Sequence, residues 1–151
     1  MSSSAKKRVV ISACLLGEYC RYDGKTKEIS AVAEAYKGYE IIPFCPEAPL
    51  FGTPRERINI VEIAADRRLI QTQTQEDVTQ LLADAIEQFC QKNPQVDAIV
   101  LKSKSPSCGH ATTPILNEKE EVIAYGDGIA VTLFKNFYKN IPLEDEISFI
   151  K

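Results

Sequence analysis

The sequence predicts an α/β protein built around an open, mainly parallel sheet. Buried β-branched runs alternate with segments whose apolar residues recur at helical spacing, the pattern of strands joined by crossover helices. The chain has 151 residues, enough for one domain with a core and short for two. Because no internal repeat or linker is visible, we predict a single α/β domain over residues 1–151, with residues 1–7 as a flexible N-terminal tail.

The first part of the chain supplies two predicted strands and a short helix. Residues 8–13 form a continuous β-branched run, typical of a strand covered on both faces and therefore in the middle of a sheet. Apolar residues between 29 and 36 recur at helical spacing, with Thr26 as N-cap and Gly38 as terminator. Residues 39–44 form a second apolar strand.

The middle of the chain predicts an irregular segment, a hairpin and the clearest helix. Residues 48–57 are rich in Pro and Gly, and the runs 58–63 and 68–72 predict a small β-hairpin excursion. From Thr74 onwards, with Asp77 in the first turn, apolar residues keep one helical face as far as Asn93.

The last third completes the alternation of strands and helices. Residues 96–102 form a third buried strand, a final helix starts near Asp127, and residues 147–150 predict a terminal edge strand. This order predicts right-handed crossovers and a Rossmann-like three-layer fold.

Composition and charge exclude several classes of partner. With 44% hydrophobic residues, 26% charged residues and a net charge of −3, the chain is globular and has no field that would hold a polyanion. We therefore expect a small-molecule substrate and no nucleic acid polymer. No run of about 18 apolar residues is present, so we expect no membrane association. The sequence gives no oligomeric state.

The cysteine content indicates a reducing compartment. Basic residues 6–8 and the apolar residues before Cys14 imitate a lipoprotein signal, but residues 9–13 fall short of the roughly 7–15 apolar residues that such a signal needs. Five cysteines without a signal indicate a cytoplasmic protein in which thiols serve metal binding or catalysis.

Three of the cysteines follow predicted buried strands. Cys14, Cys45 and Cys108 each come after such a strand, beside Pro, Gly or Ser. Because ligands bind at the carboxyl ends of parallel strands, these thiols should meet at one edge of the sheet. Each alone would be taken for a buried structural cysteine, and only the joint pattern favours a site. Cys90 lies on the apolar helical face and is predicted to be core, whereas the role of Cys20 stays open.

Three thiolates suit either an iron–sulfur cluster with one open iron or a zinc ion with one open position. Spacing does not choose between them. The single histidine, His110, makes mixed Cys/His zinc sites hard to assemble, which favours iron and sulfur and leaves zinc as the alternative.

Polar residues near these cysteines have two interpretations each. Glu47 is a candidate general base beside Cys45 or a solvated loop residue. Ser105 and Ser107 provide hydroxyls for substrate contact or serve the turn before Cys108. The motif Gly126-Asp127-Gly128 lacks the third Gly of a dinucleotide fingerprint, so helix capping is favoured over nucleotide binding.

At these residues the sequence resembles a bacterial domain-of-unknown-function family that includes the thiouracil desulfidases. The matching motifs, with a weaker match at 126–128, are Ile11-Ser12-Ala13-Cys14-Leu15-Leu16-Gly17, Cys20-Arg21-Tyr22-Asp23-Gly24, Pro43-Phe44-Cys45-Pro46-Glu47, Thr53-Pro54-Arg55, Leu101-Lys102 and Ser105-Pro106-Ser107-Cys108-Gly109. They cover nearly the whole chain in order.

The resemblance implies a 4Fe-4S cluster held by Cys14, Cys45 and Cys108, with one iron open to the sulfur of a thiocarbonyl substrate. It further implies that the open iron polarises the C=S bond, that Glu47 activates water, and that Ser105 assists. Sulfur would leave as sulfide. The substrate-binding residues that we expect are Ser107, Lys102, Arg55 and Asp23.

Two loops depart from the family pattern. Residues 48–52 replace a glycine-rich segment, and a Tyr-Asp-Gly motif is missing from residues 110–121. We therefore expect a desulfidase acting on a thiolated pyrimidine or related small thiocarbonyl compound, without a fixed substrate. The alternative is a non-catalytic module that uses a metal or cluster for ligand binding or redox sensing. A thiol-based sulfur carrier is a third hypothesis.

Overall fold

Four parallel strands form the first sheet of the protein. A computed structural model describes residues 6–17, 29–52, 56–103, 105 and 108–149. In spatial order the first sheet consists of β2 (Glu40–Phe44), β1 (Arg8–Ser12), β5 (Ala98–Leu101) and β8 (Leu143–Asp145). All three pairings are parallel. The prediction that residues 8–13 lie in mid-sheet is confirmed.

A second sheet of four strands extends the predicted hairpin. In spatial order it consists of β4 (Asp66–Gln71), β3 (Ile58–Ile63), β6 (Thr113–Leu116) and β7 (Val122–Gly126). The hairpin β3–β4 is antiparallel, β6 joins β3 in parallel, and β7 is antiparallel to β6. The sequence did not predict β6 and β7, because Pro114 interrupts the first and three exposed apolar residues of the second obscure the alternation of faces.

The helices α3 (Thr79–Lys92) and α4 (Ile129–Phe137) lie between the two sheets. Ile86 and Cys90 of α3 pack into the core of the first sheet with Phe134 of α4. On the opposite side, Val78 and Leu82 pack against the second sheet. The prediction that Cys90 is a core residue is confirmed.

The other face of the first sheet carries α1 (Ser30–Ala35) and two short 3-10 turns, Ala13–Leu16 and Glu146–Phe149. Val32 of α1 packs there against Val9 and Ile11 of β1. One further helical turn, α2 (Ala48–Phe51), lies within the segment predicted to be irregular. No helix of the described residues has the length and apolarity to cross a membrane.

Two predicted boundaries are wrong. The helix predicted from Thr74 begins at Thr79, because the Asp77 carboxylate accepts the Thr79 N–H at 3.0 Å and so caps the helix from outside. The chain before it turns through Gln75, whose φ is 60°. The edge strand predicted over 147–150 is β8 instead, and the chain turns at Glu146, whose side chain bonds Ser103 at the end of β5.

Arg8 connects the start of β1 to the loop before β5. Its backbone N–H donates to the Asp97 carboxylate at 2.8 Å, and its guanidinium donates to the Gln95 carbonyl and the Asn93 side chain. These bonds join residues about 90 apart in sequence, so they support the parallel register of β1 and β5.

The end of α3 is connected to the end of α4 through Tyr138. Its hydroxyl donates to the Asn93 carbonyl at 2.6 Å, and its ring packs on Phe134 with centroids 5.4 Å apart. Tyr138 is 5% exposed, so little water competes for this hydrogen bond.

We expect Tyr138→Phe to lower the free energy of unfolding by about 1 kcal/mol, because it leaves the Asn93 carbonyl without this donor. Urea unfolding of the variant and the wild type measures the difference. The matched control is Tyr125→Phe, since Tyr125 is 66% exposed and its hydroxyl faces solvent. Equal stability of the two variants would contradict the prediction.

Candidate active site at the carboxyl edge of the first sheet

The parallel pairing of β2, β1 and β5 brings three chain segments to one edge. Ser12 pairs with Phe44, and Ile11 pairs with Val100, so the three strands end side by side. Cys14 lies in the 3-10 turn after β1, Cys45 follows β2 directly, and Cys108 lies in the loop after β5. The predicted convergence of strand ends is confirmed at the level of the backbone.

The three cysteines differ in burial and in the core that they contact. Cys14 is buried in the layer that includes α1, whereas Cys108 is buried in the layer of α3 and α4. Cys45 is half-buried and follows the edge strand β2, so in strand order Cys14 lies between Cys45 and Cys108. Cys14 and Cys108 therefore belong to the cores on opposite faces of the first sheet.

No group of three or more His, Cys, Asp or Glu side chains within the described ranges is arranged to hold a metal ion. The ligands of one zinc ion all lie within about 2.3 Å of a single point. The cysteines of a cluster bind different irons and are spread more widely. The ligand type of the three cysteines, thiolate, is one that iron–sulfur clusters and zinc ions both take.

Glu47 is held at the start of α2. Its carbonyl accepts the N–H groups of Leu50 at 3.1 Å and Phe51 at 2.9 Å, which fixes its backbone two residues after Cys45. Glu47 is 6% exposed. The alternative of a solvated loop residue is therefore wrong, and the buried carboxylate lies beside one of the three strand ends.

Ser105 closes the turn that contains Cys108. Its Oγ accepts the Cys108 N–H at 3.1 Å, and its carbonyl accepts the Gly109 N–H at 2.9 Å. The Gly109 carbonyl in turn accepts the Gly128 N–H at 2.7 Å. The turn role predicted for Ser105 is thus observed, and its role toward a substrate stays a prediction.

Lys102 pairs with Glu146, a residue that the sequence did not single out. The Lys102 ammonium lies 3.1 Å from Glu146 Oε2, and Glu146 also accepts the N–H and hydroxyl of Ser103 at 2.7 and 2.8 Å. Glu146 is 6% exposed. Burial raises the pKa of its carboxyl, but the bonds from Ser103 and Lys102 outweigh this, so the pKa lies below its ordinary value.

This network also reaches the end of β1. The Lys102 N–H donates to Ser12 Oγ at 2.9 Å, two residues before Cys14. It therefore stabilises the edge where β1 and β5 end. In this structure the Lys102 ammonium forms an ion pair with Glu146. Its contact with a substrate stays a prediction.

The motif at residues 126–128 supports a neighbouring loop. Asp127 accepts the Ala111 N–H at 2.7 Å and forms an ion pair with Lys135 at 3.1 Å. Gly128 is the N-cap of α4, without a side-chain hydrogen bond. A cavity of about 470 Å³ adjoins this motif on the side of the second sheet, and none of the predicted site residues that the structure describes lines it.

Four predicted residues, Cys20, Asp23, Arg55 and Ser107, lie outside the described residues. The loop at residues 110–121 forms β6 and the turn before β7, and residues 48–51 form α2. Both departures from the expected family pattern therefore have regular structure.

The family model described as 2-thiouracil desulfurase matches residues 9–146. The chain belongs to the 2-thiouracil desulfurase family. The match includes the three strand-end cysteines, Glu47 and Glu146. The resemblance drawn from the motifs is confirmed.

Two relatives of this desulfurase family member span almost its whole length. It is similar to the uncharacterized protein YbbK of Bacillus subtilis (strain 168), with 27% identity over 150 residues, 94% of this chain and 99% of the relative. Among solved structures it is similar to the [4Fe-4S]-dependent thiouracil desulfidase TudS. That likeness has a TM-score of 0.69 and 28% identity, over 95% of this chain and 93% of the other.

In this desulfurase family member, we expect Glu146→Gln to lower the free energy of unfolding by about 2 kcal/mol at pH 7, because the Lys102 ammonium loses its buried partner. A lowered pKa stabilises the fold above the ordinary carboxyl value of 4.5, and this contribution is lost as the pH falls below it. The difference in stability between the two proteins should therefore shrink when the pH is lowered from 7 to below 4.5.

Urea unfolding at both pH values measures this difference. Glu118→Gln, at an exposed turn position, is the matched control and should follow the wild type throughout. A difference between wild type and Glu146→Gln that persists unchanged at low pH would show that the charge of Glu146 is not the cause.

Proposed function

We propose that this chain is an iron–sulfur-dependent desulfidase that removes sulfur from a thiolated pyrimidine or related small thiocarbonyl compound and releases sulfide. The observation that carries the proposal is the position of three cysteines after three adjacent parallel strands, beside the buried Glu47. Membership of the 2-thiouracil desulfurase family supports the reaction class. The described cofactor of TudS supports the cluster.

Cys14, Cys45 and Cys108 are the proposed ligands of a 4Fe-4S cluster. Thiolates are the ligands that such clusters take, and three of them leave one iron without a protein ligand. When bound, the cluster supplies a Lewis acid with an open position suited to a sulfur atom. The proposed location is the cytoplasm, where reducing conditions keep these thiols available.

Glu47 is the proposed general base. Its buried carboxylate takes a proton from the attacking water, whose oxygen adds to the thiocarbonyl carbon. As the C–S bond breaks, sulfur leaves as sulfide and the carbon becomes a carbonyl. One water is consumed for each sulfide released, and no external oxidant or reductant is needed. Ser105 is the proposed assisting hydroxyl.

The remaining substrate contacts are proposed for Ser107, Lys102, Arg55 and Asp23. Lys102 follows β5 at the same edge as Cys14, which supports a place near the substrate. We also propose that α2 and the segment 110–121 influence which thiocarbonyl compound is accepted, because they occupy the loops where this chain departs from the family pattern.

We expect anaerobically reconstituted wild-type protein to hold about four irons per chain, with matching sulfide. Cys14→Ser, Cys45→Ser and Cys108→Ser should each lose most of this iron, because each removes one of only three thiolate ligands. Iron, sulfide and zinc analysis after gel filtration measures the result.

Cys90→Ser is the matched control for this set. Cys90 is 2% exposed in the core, and burial raises the pKa of its thiol to about 11, so it is not a thiolate near neutral pH. It should keep the iron of the wild type. Stoichiometric zinc, or no metal, with all variants unchanged would favour the ligand-binding module and overturn the cluster site.

We expect Glu47→Gln to keep its iron and lose about 10²–10⁴-fold in kcat for desulfidation, because the amide cannot accept a proton from water. Sulfide release from 2-thiouracil and other thiopyrimidines is the assay. Glu118→Gln serves as the control with an exposed carboxylate. A Glu47→Gln protein with a full cluster and wild-type turnover would eliminate Glu47 as the base.

A further inference from the structure

We propose that Thr113 is a positioning residue for Cys108, and that its hydroxyl fixes the turn that presents this cysteine at the edge of the first sheet. Thr113 belongs to β6 of the second sheet, so this contact connects the second sheet to the site. This role deepens the proposed function and rests on it, because it takes Cys108 as a ligand of the proposed cluster.

The Thr113 hydroxyl donates to the Ser105 carbonyl at 2.6 Å. That same carbonyl accepts the Gly109 N–H, and the Ser105 hydroxyl accepts the Cys108 N–H. Ser105 is thus bonded to Gly109 through its carbonyl and to Cys108 through its hydroxyl, which fixes the backbone on both sides of the Cys108 carbonyl group. Because Thr113 is 2% exposed, little water competes for the hydrogen bond between its hydroxyl and the Ser105 carbonyl. This bond holds the turn against the second sheet.

Gly109 shows how closely Thr113 approaches this turn. A Cβ at position 109 would stand 2.9 Å from the Ser105 carbonyl oxygen and would collide with Thr113 Oγ1. Only glycine, which has no Cβ, therefore fits at position 109. Any larger residue would displace either the hydroxyl or the turn.

A second contact holds the turn from the side of α4. The Gly109 carbonyl accepts the Gly128 N–H, and Cys108 itself packs in the core with Ala130, Val131 and Phe134. The turn is therefore fixed between β6 and the first turn of α4. Thr113 contributes the side-chain bond, and Gly128 contributes the backbone bond.

The experiment compares Thr113→Val with Thr113→Ser in the full chain. Valine keeps the shape and removes the hydroxyl, whereas serine keeps the hydroxyl. Thr132→Val is the matched control, because Thr132 lies exposed on α4 and its hydroxyl bonds only weakly to Gly128, at 3.5 Å.

Two rates are measured. The first is alkylation of Cys108 in the cluster-free protein, followed by peptide mass spectrometry, with buried Cys90 as the internal reference. The second is loss of iron from the reconstituted protein to a chelator. We expect Thr113→Val to raise both rates about tenfold, the effect of one lost buried hydrogen bond, and Thr113→Ser and Thr132→Val to stay near the wild type.

The outcomes separate this inference from the proposed function. Wild-type rates in Thr113→Val would overturn the positioning role. A parallel rise at Cys90 would also overturn it, because the change would then loosen the whole core. Faster alkylation of Cys108 in Thr113→Val, together with a wild-type protein that binds no iron on reconstitution, would keep the role of Thr113 and reject the cluster.

Discussion

The parallel pairing of β1 with both β2 and β5 determines where the proposed ligand and catalytic residues of this chain lie. A central strand buried on both faces leaves only its ends for function, and parallel neighbours place all their carboxyl ends at one edge. The bonds that Arg8 makes to the loop before β5 hold this register at the opposite edge. The position of every proposed ligand is therefore set first by the pairing of the strands and then by the conformation of its own side chain.

The second sheet adds a further layer to the fold, on the side of α3 that faces away from the first sheet. Helix α3 is covered on both sides, because Ile86 faces the first sheet and Leu82 faces the second. Thr113 of the second sheet bonds the Ser105 carbonyl, and Gly128 at the start of α4 bonds the Gly109 carbonyl, so the turn at Cys108 is held from both sides. The Cys108 segment is consequently supported by strands that do not belong to the sheet it follows.

Local patterns were sufficient to predict the strands that matter for the site. The runs that became β1, β2 and β5 are continuous and apolar, so their ends could be read from the sequence, and with them the positions of Cys14, Cys45 and Cys108. Glu47 and Ser105 were candidates from their positions near these cysteines, and the family motifs added the catalytic roles expected of them. The start of α3 was misplaced because a cap from Asp77 is indistinguishable in sequence from an acidic residue of the first turn.

The residues that the sequence did not reveal, Glu146 and Thr113, bond segments outside their own secondary-structure element. Glu146 bonds Ser103 across 43 positions, and nothing in the sequence between them signals the contact. Thr113 lies in a four-residue strand that includes a proline, which hid the strand and its hydrogen bond together. Local periodicity carries no information about such pairs, because a polar residue at a buried position looks the same as one in a loop.

The spacing of the three cysteines has a consequence for how the protein matures. Cys45 and Cys108 are separated by 63 positions, 108 minus 45, which a ribosome needs roughly 3–13 s to add. Over that interval the nascent chain holds two of the three thiols without the third. The strand that completes the first sheet, Leu143–Asp145, is made later still. The proposed ligand set is therefore complete only once Cys108 has been synthesised, so the proposed cluster cannot be assembled on the earlier part of the chain alone.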